Sequence, residues 1–268
     1  MTQQDRRPVV LTIAGSDSSG GAGIQADLKT FHQFGVFGTS AITAITAQNT
    51  REVSSVGRVE PDLVKAQIEA VVDDLAPAAC KSGMLADIAI VEAVAAGLGS
   101  AHIPHYVLDP VMVSAGGTPL LELSAVEALK SLLIPRADLV TPNLDEAGIL
   151  ANMEVRDTGA MRDAGERILA LGCRAVLIKG GHLVSDEVED LLITADGRRI
   201  WRAPRHPIGN AHGTGCTLSA AITAGLALGR PLEEAIDRGL TYTRHAIASA
   251  PERGSGSRPL NHWAPEGC

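Results

Sequence analysis

Aromatic residues and cysteines are scarce in this 268-residue chain, and each shortage argues against a class of protein. The four cysteines are far apart and form no C-x-x-C pair, which argues against a structural zinc site or a disulfide framework. Phenylalanine, tryptophan and tyrosine make up 3% of the residues, against 45% for all hydrophobic types, so we expect an aliphatic core. Such a chain is expected in the reducing cytoplasm.

Basic charge and long hydrophobic runs are scarce as well. The formal net charge is −8 and no basic run interrupts it, which argues against a nucleic-acid-binding surface. No apolar stretch reaches the roughly 20 residues that a membrane-spanning helix requires. Residues 1–8 are polar and show no apolar signal-peptide region. We therefore expect small-molecule ligands and neither nucleic acid nor a membrane as a partner.

Two further features are missing from the sequence. No G-x-x-x-x-G-K-[ST] motif occurs, which excludes a P-loop nucleotide-binding enzyme. The chain also has no linker, no repeat of fixed period and no low-complexity block. We therefore predict a single domain over residues 1–268.

Short apolar runs that are typical of buried strands alternate with amphipathic helical patterns. Residues 9–14 predict a strand, residues 15–23 a glycine-rich loop, and Ile24 the first apolar position of a helix. Ser124, with Glu127 three residues later, predicts a helix N-cap and capping box. A hairpin is expected only late in the chain, around Asp196-Gly197. This alternation predicts an α/β fold with a mostly parallel central sheet flanked by helices on both faces.

A glycine-rich turn, His212-Gly213-Thr214-Gly215-Cys216-Thr217, comes directly before an apolar helical pattern. Glycines allow close approach of a ligand, and unpaired N–H groups at a helix N-terminus bind anions such as phosphate. We expect the backbone of Gly215 to adopt a conformation that a β-carbon would strain, and the helix N-terminus to lower the pKa of the Cys216 thiol. The alternative is an ordinary turn before a core helix, with Cys216 as a small buried hydrophobic residue.

Polar residues follow three of the predicted strands. Asp109 ends one strand, Asn143 and Glu146 lie at the start of the helix after the next, and Lys179 ends a third. Ligands bind at the carboxyl ends of strands in open α/β sheets, so Lys179 is a candidate phosphate cation. The Asn143 and Glu146 oxygens suit Mg²⁺, although the same pair at this spacing is typical of a helix capping box.

Two motifs near the N-terminus leave alternatives open. Gln48, at a strand end, can donate and accept hydrogen bonds side by side, so it could bind the edge of an aminopyrimidine or cap a loop. Gly21-Ala22-Gly23-Ile24-Gln25-Ala26 matches G-x-G-x-x-G/A, but it begins seven residues beyond the strand. No acidic residue follows the next strand to hold a ribose, so a dinucleotide site is disfavoured.

Taken together, the motifs resemble those of the hydroxymethylpyrimidine/phosphomethylpyrimidine kinases of thiamine synthesis, within the ribokinase-like superfamily. The resemblance covers residues 10–263. Besides the glycine-rich turn and residues 14–29, it is carried by Thr46-Ala47-Gln48-Asn49-Thr50, Lys81-Ser82-Gly83-Met84, Asp109-Pro110-Val111-Met112, Thr141-Pro142-Asn143-Leu144-Asp145-Glu146 and Lys179-Gly180-Gly181-His182. The loop of residues 113–117 lacks the lysine or threonine that this family often has there.

The resemblance implies ATP- and Mg²⁺-dependent phosphorylation of a pyrimidine hydroxymethyl group and then of the monophosphate, by a ribokinase-like homodimer. It implies substrate contacts from Gly15, Asp27, Gln48, Met84 and Val111. It implies nucleotide contacts from Asp109, Asn143, Lys179 and Thr217, and metal contacts from Glu146 and Asp109. The transferred phosphoryl group would be held by Gly213, Thr214, Gly215 and Cys216.

Three questions stay open at this point. Cys216 is either the base that accepts the alcohol proton or only part of the anion site. A pyridoxal kinase of the same superfamily is an alternative, because pyridoxal also has a hydroxymethyl group on an aromatic ring. A non-catalytic pyrimidine-binding protein is the other alternative.

Overall fold

The computed structural model describes residues 7–99, 101–113, 120–122, 124–181, 187–206 and 211–266. Among these residues, nine strands form one sheet in the order β3-β2-β1-β4-β5-β6-β7-β8-β9. Strands β2, β1 and β4 to β7 are parallel, whereas β3 is antiparallel to β2, β8 to β7 and β9 to β8. The strands are β1 (Val9–Asp17), β2 (Phe37–Gln48), β3 (Val53–Arg58), β4 (Ala79–Ser82), β5 (Tyr106–Leu108), β6 (Leu139–Val140), β7 (Ala175–Lys179), β8 (Glu187–Thr194) and β9 (Gly197–Pro204), with a separate pair β10 (Ala211–His212) and β11 (Arg258–Pro259).

Helices cover both faces of this sheet. They are α1 (Gly23–Gln33), α2 (Pro61–Leu75), α3 (Ile88–Gly99), α4 (Ala125–Ala128), α5 (Leu144–Ala151), α6 (Thr158–Leu169), α7 (Thr214–Ala227) and α8 (Leu232–Ala248). Helices α1, α7 and α8 pack on one face, and the others pack on the opposite face. Successive strand residues point to opposite faces, so Val107 joins the core under α7 and α8 while Leu108 joins the core on the other side. The prediction of a mostly parallel sheet between two helical layers is confirmed.

Several local predictions are confirmed and others are wrong. Pro61, followed by apolar residues at helical spacing, predicts a helix over residues 61–75, and α2 has these bounds. The late hairpin is β8–β9. Strand β1 continues to Asp17, so the expected loop of residues 15–23 is shorter, and β3 pairs with β2 where no strand was expected. Ser124 has helical backbone angles and makes no side-chain cap bond, so the predicted cap is wrong. His182 and most of the loop of residues 113–117 lie outside the described residues.

The strand order indicates where on the sheet a ligand is expected to bind. From β1 the chain passes to β2 on one side, and after β3 and α2 it returns to β4 on the other side. The carboxyl ends of β1 and β4 therefore flank the point where the strand order reverses, which is where open α/β sheets bind ligands. Among the described residues, no helix is long and apolar enough to cross a membrane.

Candidate active site

The N-terminus of α7 forms a tight turn against the loop that follows β1. Gly213 precedes the helix with φ +86°, in the left-handed region, and a β-carbon there would collide with the Gly21 carbonyl oxygen. Helix α7 begins at Thr214, within the glycine-rich turn, whereas the sequence pattern predicts a helix only from the end of that turn at Thr217; Thr214, Gly215 and Cys216 therefore form its first turn. The N–H groups of a first turn lack intrahelical acceptors, which makes this turn a site for an anion.

Gly215 is restricted by its neighbours, and its φ lies outside the left-handed region. A β-carbon at Gly215 would lie 3.2 Å from Lys179 Nζ and 3.5 Å from Asp109 Oδ2. The expected backbone strain at Gly215 is therefore wrong, because the positive φ belongs to Gly213. Because Gly215 has no side chain, the first turn of α7 can lie directly against the charged pair of Lys179 and Asp109.

That charged pair is part of a buried cluster at the carboxyl ends of β5 to β7. Lys179 Nζ lies 3.0 Å from Asp109 Oδ1 and 4.0 Å from Glu146 Oε2. Asp109 also accepts hydrogen bonds from the hydroxyls of Thr141, at 3.1 Å, and Ser219, at 3.3 Å. The sheet thus brings together three residues that the sequence predicts separately as ligands of nucleotide or metal.

Asn143 and Glu146 form a complete capping box at the start of α5. The Asn143 side chain accepts from the Glu146 N–H at 2.9 Å, and the Glu146 carboxylate accepts from the Asn143 N–H at 2.8 Å. The capping interpretation is confirmed, and it holds the Glu146 carboxylate near Lys179 and Asp109. The Asn143 side chain points to its own helix in this arrangement.

The two carboxylates suit a divalent cation that arrives with a ligand. Burial raises the pKa of Glu146 to about 7. The negative charge of Asp109 adds to this rise, and the positive charge of Lys179 partly opposes it. Within the described residues, no three His, Cys, Asp or Glu side chains are grouped around a metal position. Mg²⁺ is commonly held by one or two carboxylates together with phosphates and water. Asp109 and Glu146, which share one lysine, fit that coordination.

A second ion pair lies fully buried between α1 and β4. Lys81 Nζ lies 2.9 Å from Asp27 Oδ1, Thr12 donates to Asp27 Oδ2 at 2.6 Å, and both charged side chains are 0% exposed. Burial raises the pKa of Asp27 although Lys81 opposes the rise. Lys81 had no predicted role, although it lies near the end of a strand and opens the Lys81-Ser82-Gly83-Met84 motif. Asp27, a predicted substrate contact, is thus fully engaged with protein groups.

Cys216 lies close to this ion pair; the residue as a whole is partly exposed, but its thiol group is buried. Burial raises the pKa of its thiol to about 12, while the charge of Lys81 and a hydrogen bond from the Gly23 N–H act in the opposite direction. The expectation of a lowered pKa is therefore wrong, because desolvation of the thiolate outweighs the positive end of the helix. At neutral pH this thiol carries its proton.

The predicted pyrimidine contacts lie near the strand-order reversal. Gly15 lies against Met84, since a β-carbon on Gly15 would be 2.9 Å from the Met84 sulfur. Met84 is buried, and Val111 packs against the same small cluster. The hydroxyl of Thr217, in contrast, is fully buried and lies 3.1 Å from His262 Nε2, so the structure gives no support to a nucleotide contact from its side chain.

Gln48, at the end of β2, is joined to His212 through a network that the sequence did not predict. One terminal atom of its amide lies 3.1 Å from His212 Nε2, which is itself 2.8 Å from Asp17 Oδ2. Asp17 also accepts from the N–H groups of Ser19, Gly21 and Ala22. Burial alone would raise the pKa of Asp17, but the hydrogen bonds from His212 and Ser19 hold it below its ordinary value.

Comparisons with known proteins identify the family of the chain. The phosphomethylpyrimidine kinase family model matches residues 17–261. A hydroxymethylpyrimidine/phosphomethylpyrimidine kinase of Haemophilus influenzae is 47% identical over 259 residues, 95% of this chain and 96% of that protein. The phosphomethylpyrimidine kinase of Clostridium difficile is 43% identical, with a TM-score of 0.81 over 90% of this chain and all of that one.

A pyridoxal kinase is also similar in structure. An ADP complex of Bacillus subtilis pyridoxal kinase is 36% identical, with a TM-score of 0.90 over 96% of this chain and 98% of that one. These neighbours share the ribokinase-like arrangement, so the fold alone does not separate the two kinases. The family model and the higher sequence identities do separate them. Because the model and the relatives extend over nearly the whole chain, this protein belongs to the phosphomethylpyrimidine kinase family and is a kinase with a ribokinase-like fold.

Proposed function

We propose that this protein uses ATP to phosphorylate 4-amino-5-hydroxymethyl-2-methylpyrimidine and then its monophosphate, which yields the pyrimidine diphosphate used for thiamine. The observation that carries the proposal is the position of the Lys179–Asp109 pair directly against Gly215, in the first turn of α7. This brings a cation, a carboxylate and unpaired N–H groups to one point. The 47% identity to the Haemophilus influenzae kinase supports the same conclusion.

Phosphoryl transfer depends mainly on positioning and on stabilising charge. In this proposal the N–H groups of Gly215 and Cys216 bind the oxygens of the transferred group, and Lys179 supplies positive charge beside them; the short distance from Gly215 to Lys179 supports these roles. Mg²⁺, when bound with ATP, neutralises phosphate charge, and Asp109 and Glu146 are the residues that would hold it. The capping box keeps Glu146 in place for that task.

The substrate alcohol is proposed to bind between the carboxyl ends of β1, β2 and β4. Gly15 leaves room beside Met84, whose flexible thioether can lie against a flat ring. Gln48 supplies a donor and an acceptor for the ring edge. Pyridoxal remains the second candidate substrate because the Bacillus subtilis pyridoxal kinase has the TM-score of 0.90.

ADP release measures the proposed activity directly. The wild-type protein is assayed with the hydroxymethylpyrimidine, with its monophosphate and with pyridoxal, each with and without Mg²⁺. We expect turnover of both pyrimidines, with a higher kcat/KM than for pyridoxal, and loss of turnover without Mg²⁺. Turnover of pyridoxal alone would contradict the proposal, and no turnover of any alcohol would favour a binding protein.

Replacement of Gln48 tests how the pyrimidine is bound. Gln48→Ala is expected to weaken pyrimidine binding by about 1–3 kcal/mol, since the ring edge loses its partner. The KM for the pyrimidine should rise while the KM for ATP stays nearly constant, because within the described residues the hydrogen bonds of Gln48 to side chains go to Ser18, Thr46 and His212 and not to the Lys179 cluster. An unchanged pyrimidine KM would show that Gln48 only caps the strand end.

Replacement of Cys216 separates its two candidate roles. We propose that Cys216 serves the anion site through its N–H group, because a thiol with a pKa of about 12 is protonated at neutral pH. Cys216→Ser should therefore keep kcat within about tenfold of wild type, whereas loss of a general base costs roughly 10²–10⁴-fold. A loss in that larger range, with KM unchanged, would assign the base role to the thiol instead.

We also propose that residues 1–268 act as one kinase domain, as a homodimer in the cytoplasm. The nine-stranded sheet extends through the chain from β1 to β9, which supports one domain. Ile45 and Val56, on the two strands at the β3 edge, are 58% and 38% exposed, and exposed apolar residues at a sheet edge favour an interface. Light scattering at several protein concentrations would measure the oligomeric state.

A further inference from the structure

The protons shared among Asp17, His212 and Gln48 determine which way the Gln48 amide points. Asp17 accepts five hydrogen bonds, from the backbone N–H groups of Ser19, Gly21 and Ala22, the Ser19 hydroxyl and His212, so it is an ionised acceptor. His212 Nε2, 2.8 Å from Asp17 Oδ2, must then carry a proton. A protonated ring nitrogen cannot accept a hydrogen bond. The amide atom of Gln48 that lies 3.1 Å from Nε2 is therefore compatible only with an oxygen, which shares the single Nε2 proton with the Asp17 carboxylate.

The hydrogen-bond donors and acceptors around the Thr46 hydroxyl independently indicate the same orientation of the Gln48 amide. The Thr46 hydroxyl lies 3.0 Å from the carbonyl oxygen of Ser16 and 3.1 Å from the other terminal atom of the Gln48 amide. The hydroxyl has one proton, and the Ser16 carbonyl can only accept it. The hydroxyl oxygen is then free to accept a hydrogen bond, so the Gln48 atom facing it must be the NH₂ group. One orientation of the amide satisfies both ends.

We propose that His212 and Thr46 are specificity-determining positioning residues that lock the Gln48 amide in this orientation. The oxygen of Gln48 faces His212, and its nitrogen faces Thr46. The proposal rests on the proposed function, in which Gln48 binds the pyrimidine edge. Gln48 is only half-buried, so the second lone pair of the oxygen and the second hydrogen of the nitrogen stay available for a ligand.

The lock has a direct chemical consequence for substrate choice. A 4-aminopyrimidine presents an amino donor next to a ring-nitrogen acceptor, which pairs with an acceptor and a donor in fixed order. The corresponding 4-oxopyrimidine presents an acceptor next to a ring N–H donor, which is the reverse order. A freely rotating amide could turn over to match either edge, whereas the locked amide matches only one. The locked amide therefore discriminates against the oxo compound.

The test compares the two alcohols as substrates of the full-length protein. We measure kcat/KM for the 4-amino compound and its 4-oxo analogue and take their ratio in each variant. The ratio is independent of the fraction of folded enzyme, so a variant that only lowers the amount of folded protein leaves the ratio unchanged. The wild type should prefer the amino compound by about 100-fold or more, because the oxo compound, once bound, would leave the polar groups of the Gln48 amide without hydrogen-bond partners.

Two variants release the lock from opposite ends, and each has a matched control. His212→Met removes the ring donor and Thr46→Val removes the hydroxyl, and each should lower the ratio by about tenfold. His212→Gln keeps a donor and Thr46→Ser keeps the hydroxyl, so both should retain the preference. Adding Gln48→Ala to His212→Met should change the ratio little further, because both act through one amide.

Two results would contradict the proposal that His212 and Thr46 hold the Gln48 amide in one orientation. The first is an unchanged preference in both His212→Met and Thr46→Val, even where overall activity falls. The second is a loss of preference in the Thr46→Ser control equal to that in Thr46→Val. Wild-type turnover of the amino compound tests the proposed function separately, so failure of the lock and failure of the function give different results.

Discussion

Gly213→Ala is expected to reduce kcat by at least about 10²-fold, the loss seen when hydrogen-bond donors to a reacting oxygen are displaced. The added β-carbon would collide with the Gly21 carbonyl oxygen, which is backbone and cannot rotate away. Either the loop of residues 18–22 or the start of α7 must shift to make room. A shift at the start of α7 moves the N–H groups of Gly215 and Cys216 relative to Lys179, and this displacement is the cause of the expected loss of kcat.

Gly229, after the other end of α7, provides a matched control for this prediction. It also has a positive φ, +77°, but a β-carbon there would lie within 4 Å of no atom in the part of the chain that the structure describes. Gly229→Ala therefore carries the cost of the left-handed backbone, roughly 1–3 kcal/mol of stability, without the collision. Its kcat should match wild type at a temperature where both are folded. Near-normal kcat in Gly213→Ala would show that the first turn of α7 does not hold the transferred group.

Lys81→Met is expected to lower the free energy of unfolding by about 3–5 kcal/mol, the usual cost of leaving one member of a buried ion pair without its partner. Methionine fills a similar volume but leaves the Asp27 carboxylate, 0% exposed, with only the Thr12 hydroxyl as a hydrogen-bonding partner among the side chains that contact it in the described structure. Urea unfolding followed by circular dichroism measures this loss.

The double variant Asp27→Asn/Lys81→Met shows whether charge or packing causes the loss. It removes both charges while the Thr12 hydroxyl keeps an acceptor at position 27. If the unpaired charge is responsible, the double variant should recover at least about half of the stability lost in Lys81→Met. A double variant as unstable as the single one would mean that the aliphatic packing of Lys81 carries the effect.

Most of the layout of the fold could be predicted from the amino-acid pattern, because the signals for single elements are local. The bounds of α2 follow from Pro61 and the apolar face, and the capping box from the spacing of Asn143 and Glu146. The alternation of strands and helices determined the parallel sheet, and the ordered motifs identified the family. Asp109 and Lys179 were found because each ends a strand at the ligand-binding edge.

The chemical state of the site residues could not be predicted in this way, because burial and partners that are distant in the sequence determine it. Lys81 and Asp27 are 54 positions apart, and His212 and Asp17 are 195 apart, so no local pattern joins them. The positive φ fell on Gly213 and not on Gly215, since the neighbouring loop requires the turn there. Desolvation reversed the pKa shift expected for Cys216, and packing against His262 directed the Thr217 hydroxyl into the core. Spacing in a sequence predicts which residues share an element, whereas solvent exclusion and contacts between elements exist only after the chain has folded.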